Sequence, residues 1–61
     1  MPLTEEQKQI IRYVKQGLTN IEIAEEMGYS PDTIKKRLWL IYKLLNVKNR
    51  IDLISKIVHA L

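Results

Sequence analysis

The sequence predicts an all-α fold of four helices, and three observations carry the prediction. Apolar residues recur at helical spacing in four segments, at about residues 5–16, 20–27, 31–45 and 50–60, and nowhere keep the period of two that a strand with one buried face requires. Each segment opens on a capping residue, and the first three close on Gly or Asn. Only Gly28 and Tyr29 separate the second segment from Ser30, the cap of the third, and so short a link makes two helices cross steeply.

The first helix starts at Thr4, which forms a T-x-x-Q capping box with Gln7, and Gly17 supplies a left-handed stop. Ile10, Ile11 and Val14 form its buried stripe. Thr19 and Glu22 make a second capping box, with Leu18 and Ile23 placed to pack as a hydrophobic staple. Ile21, Ile23, Ala24 and Met27 are expected on the apolar side of the second helix, which Gly28 ends. Ser30 caps the third helix, Pro31 occupies the first turn where its missing N–H costs nothing, and Asp32 suits the positive end of the helix dipole. Ile34, Leu38, Ile41 and Leu45 fall within one narrow arc and form its core stripe. Asn46, which tolerates the left-handed region, ends it. Asn49 caps the fourth helix, with Asp52 at its third position.

With 61 residues, the sequence reads as a single domain over 1–61 with one small core. Chains of this size bury only about 60% of their unfolded surface. The absence of cysteine removes disulfides and thiolate metal sites and agrees with a cytoplasmic location. No apolar run approaches a membrane span. Nothing matches a phosphate loop or a nucleophile motif, His59 is the sole histidine, and Glu25 and Glu26 diverge as helix neighbours. Catalysis, metal binding and cofactor binding are therefore not expected.

The formal charge of +3 is unevenly spread. The second helix carries Glu22, Glu25 and Glu26 with no cation, whereas the third carries Lys35, Lys36, Arg37 and Lys43 against Asp32 alone. On a helical wheel Lys35, Lys36, Trp39 and Lys43 lie opposite the core stripe. Ala24, Gly28 and Ile34 supply the small residue, the permissive turn and the branched apolar residue that a helix-turn-helix crossing needs. A third helix with that outer face suits the major groove, where Lys and Arg read guanine edges and apolar atoms touch thymine methyls.

The run LTEEQKQIIRYVKQGLTNIEIAEEMGYSPDTIKKRLWLIYKLLNVKNRIDLI resembles the LuxR-type (GerE, FixJ, NarL) helix-turn-helix DNA-binding domain over about residues 3–58. The matching pieces are Leu3-Thr4 with Glu6, Gly17-Leu18-Thr19-Asn20 with Glu22-Ile23-Ala24, Ser30 with Thr33-Ile34-Lys35, Ile41-Tyr42-Lys43, and Leu45 to Arg50. The resemblance implies a transcriptional regulator whose third helix enters the major groove of double-stranded DNA. Carried over by position, it puts Lys35, Lys36 and Trp39 against bases, and Thr19, Asn20, Thr33 and Arg37 near phosphates. Lys43 joins the phosphate set by its place on the basic face. Three departures stand out: Leu40 and Leu44 replace residues usually polar in the family, Trp39 is bulky for a base-facing position, and Asn46 stands where glycine is common.

The fourth helix also pairs subunits in that family. Here Ile51, Ile54, Val58 and Leu61 form one stripe, with Leu53, Ile57 and Ala60 beside it, so apolar residues cover about half the circumference. A surplus of that width implies a homodimer, with Ile51, Ile54, Val58 and Leu61 at its interface. The alternative function is a protein-binding adaptor or anti-regulator that uses the Trp39 and Leu40 surface, since a large exposed apolar pair marks an interaction site.

Overall fold

The computed structural model describes residues 3–60 of the chain, with side chains through residue 58. Four helices follow in order: α1 (Glu5–Lys15), α2 (Asn20–Met27), α3 (Pro31–Leu45) and α4 (Arg50–Ala60). All regular structure among the described residues is helical.

The starts follow the local chemistry of the sequence. Thr4 Oγ1 accepts from Gln7 N at 3.1 Å while Thr4 N donates to Gln7 Oε1 at 2.8 Å, and Thr19 and Glu22 repeat the reciprocal pair at 3.2 and 2.8 Å. Ser30 Oγ accepts from Thr33 N at 3.2 Å, and Asn49 Oδ1 accepts from Asp52 N at 2.9 Å. Each such cap contributes about 1 kcal/mol.

The first three helices end in the same way. Gly17 (φ +90°), Gly28 (φ +74°) and Asn46 (φ +56°) each take the left-handed conformation. After each turn the next N–H reaches back five residues: Leu18 to Tyr13 O at 3.1 Å, Tyr29 to Ala24 O at 2.9 Å, and Val47 to Tyr42 O at 2.9 Å. Leu18, Tyr29 and Val47 then pack on the core, the apolar contact that accompanies this stop. The geometry shortens α1 by one residue from its expected end, because Gln16 already belongs to the cap.

The core consists of Ile10, Ile11, Val14, Ile23, Ala24, Ile34, Leu38, Ile41, Leu53 and Ile57. Every member is aliphatic, and each larger side chain adds about 1.5–3 kcal/mol on full burial. The closest helix pair is α2 with α3, and α1 backs both α3 and α4. Ile21 departs from expectation and is exposed. It sits two residues before Ile23, about 200° around the helix, so the inward pull of Ile23, Ala24 and Met27 turns it to solvent. Gln7 is the buried polar residue, and its amide is satisfied within the α1 cap.

Candidate nucleic-acid interface

Burial of Ile34, Leu38 and Ile41 fixes the rotation of α3. Lys35, Lys36, Arg37, Trp39, Leu40 and Lys43 are consequently exposed. Lys35, Lys36, Trp39 and Lys43, expected on the outer face, are therefore together there. Lys35 Nζ lies 5.3 Å from the centroid of the Trp39 ring, one helical turn away. This cation–π contact orders both side chains while keeping the ammonium at the surface. Lys36 Nζ approaches Asp32 Oδ2 at 3.3 Å, but both groups are largely exposed, and such a pair holds its lysine only loosely.

Leu40 joins this face from the side opposite Lys35. Trp39 is 56% and Leu40 49% exposed. Together with Tyr42 and Val47 they floor an open depression rimmed by Lys36, Lys43 and Lys48. A second, smaller cleft lies between the start of α2 and α3, where Asn20 faces Lys35, Trp39 and Tyr42. Partial burial raises the Tyr42 phenol above its ordinary pKa, with Arg50 pulling the other way, so it stays a neutral donor at physiological pH.

The remaining candidates are more committed. Thr19 spends its hydroxyl on the α2 cap, and the Thr33 hydroxyl lies 3.0 Å from Ser30 Oγ. Asn20 Oδ1 accepts from Arg50 Nη1 at 3.3 Å, and Arg50 Nη2 donates to Leu18 O, which ties the start of α4 to the start of α2. Arg37 stands apart from the lysines. Its Nε meets Glu6 Oε1 at 3.0 Å, and its guanidinium lies 5.4 Å from the centroid of the Tyr29 ring. The Tyr29 hydroxyl donates to the other oxygen of Glu6. That bond to Glu6 raises the Tyr29 pKa, an effect that Arg37 partly offsets.

Sequence reasoning missed the ties of Arg50 and Glu6. The partners stand more than twenty residues apart, and no local pattern links them. Lys56 was also missed; its ammonium donates to Leu45 O at 2.7 Å and closes the end of α3.

On α4, Leu53 and Ile57 are in the core and Ile54 packs against it, while Ile51 is 80% and Val58 61% exposed. Leu61, assigned to the same stripe, lies outside the described residues. Among the described residues no His, Cys, Asp and Glu side chains group into a metal site, and no helix is long and apolar enough to cross a membrane.

The family described as "Bacterial regulatory proteins, luxR family" matches residues 1–57. The chain is 34% identical over 55 residues to the "Transcriptional regulatory protein DesR" of Bacillus subtilis, a match covering 90% of this chain and 28% of that protein. It is 32% identical over 53 residues to the "Probable transcriptional regulator ycf29" of Guillardia theta, covering 87% and 26%. Against the "CsgBAC operon transcriptional regulatory protein" of Escherichia coli it is 36% identical over 53 residues, covering 87% and 24%. The chain thus spans about a quarter of the length of these relatives. No solved structure matches it.

Proposed function

Since the chain belongs to the luxR family of bacterial regulatory proteins, we propose that it binds double-stranded DNA sequence-specifically and regulates transcription, with α3 in the major groove. The observation that carries the reading is the rotation of α3. Its aliphatic stripe is buried, so the cationic face points outward on a rigid support. Lys35, Lys36 and Trp39 then meet base edges, the lysines reading guanine O6 and N7 and the indole touching a thymine methyl or sugar. Thr19, Asn20, Thr33 and Lys43 lie against phosphates, together with Arg37.

The exposed line of Ile51 and Val58, flanked by Ile54, supports pairing of two copies through α4. A two-fold pair would set two α3 helices one DNA turn apart and raise the effective concentration at the second half-site. Selection of bound sequences from random duplexes, followed by a salt titration, tests the proposal. A recovered two-half-site motif and a steep fall of affinity with salt support it. Absence of duplex affinity at low salt overturns it.

One observation favours a second reading. Trp39 and Leu40 form a contiguous exposed apolar pair, and the DNA reading assigns Leu40 no base. If α3 instead docks a protein, Leu40→Ala and Trp39→Ala both weaken capture of that partner, and duplex binding is absent in the parent. Under the DNA reading Trp39→Ala weakens duplex binding and Leu40→Ala leaves it nearly unchanged.

A further inference from the structure

We propose that Glu6 is a built-in competitor for the DNA backbone: its carboxylate holds Arg37 in the free protein, and a phosphodiester takes its place in the complex. The inference rests on the DNA-binding reading. It comes from one cluster, in which Glu6 on α1, Tyr29 in the α2–α3 turn and Arg37 on α3 meet although they are far apart in sequence. Arg37 is the arginine of α3 and, among the described residues, the only one of its four cations paired with a carboxylate from another helix. Carboxylate and phosphate are alternative partners for the same planar donor group. The Arg37 side chain is 46% exposed and that of Glu6 33%, so an incoming anion can reach the pair from solvent.

Exchange is feasible because Glu6 has two partners. When Arg37 swings away, the Tyr29 hydroxyl still donates to the carboxylate, so no anion is left without a hydrogen bond. Glu6 therefore subtracts from affinity for any duplex and leaves sequence preference to the lysines.

The experiment measures affinity and salt slope for a selected duplex with the parent, Glu6→Gln, Arg37→Ala, the double variant and Glu5→Gln. Gln at position 6 keeps an acceptor for Tyr29 while removing the charge. Glu6→Gln should tighten binding about two- to fivefold, the range an exposed ion pair supports. Arg37→Ala should shallow the salt slope by about 0.9, the loss of one phosphate contact. In the Arg37→Ala background the Glu6→Gln gain should vanish, since the two act through one contact. Glu5→Gln, which removes an equal charge one residue away, should give a smaller gain than Glu6→Gln.

A Glu6→Gln gain that persists without Arg37, or is matched by Glu5→Gln, overturns the proposal and reduces the effect to net charge. A second measurement needs no variant: the Arg37 Nε–H resonance of the parent should shift when duplex is added. A resonance unmoved at saturation overturns the exchange even though the duplex is bound. A parent with no duplex affinity overturns the DNA reading and this proposal together.

Discussion

The four cations of α3 are chemically similar but occupy different situations, and substitution should separate them. Lys35 is ordered by the Trp39 ring, whereas Lys36 has only an exposed, loosely held partner in Asp32. Lys35→Ala is accordingly expected to cost about 1–3 kcal/mol and to relax preference at one base-pair position. Binding of a panel of single-base operator variants checks this, and a uniform loss across the panel would make Lys35 a backbone contact. The outward positions of these lysines were legible in the sequence because helical spacing alone fixes which residues oppose a buried stripe. The engagement of Arg37 was not. Its partners come from a different helix and from a turn, and spacing carries no information on pairs so far apart.

At the level of the helices, legibility was highest at the ends. Capping boxes and left-handed stops are contacts within a few residues, so Thr4, Thr19, Gly17, Gly28 and Asn46 could be read one at a time. The error at Ile21 arose differently. An eight-residue helix with apolar residues at 21, 23, 24 and 27 offers two possible inward faces, and tertiary packing against α3 chose one. The α2–α3 turn gives a clean prediction. A Cβ added at Gly28 meets nothing within 4 Å, so Gly28→Ala costs only the strain of a left-handed alanine, about 1–2 kcal/mol. Gly28→Asn should recover much of that loss. Urea unfolding of the two variants measures the difference, and equal midpoints would show that the turn relaxes out of the left-handed region.

For the molecule as a whole, the open issue on α4 is which apolar residues serve the core and which are surplus. Leu53 and Ile57 are consumed by the core, and Ile54 is shared. Ile51 and Val58 remain uncovered, so glutamate at both should leave the fold intact and remove any pairing. Analytical ultracentrifugation of the parent and the Ile51→Glu, Val58→Glu variant, with and without a two-half-site duplex, is expected to show a dimer only for the parent. A parent that stays monomeric at high concentration with duplex present would end the dimer proposal. The width of the apolar arc signalled this surplus in the sequence. Its division between core and surface depended on how α1 and α4 meet, which no single-helix pattern contains.

The wholly aliphatic core has an optical consequence. The chain has one tryptophan, and it lies outside that core, on the proposed contact face of α3. Its indole is already more than half exposed in the folded state, so emission should shift only modestly on unfolding in urea. Circular dichroism would have to follow the fold. A ligand seated on α3 would instead change the polarity and quenching around Trp39 directly. Intrinsic fluorescence should therefore titrate occupancy of that face without any attached dye, and a large wavelength shift on unfolding alone would show that the indole is shielded in solution.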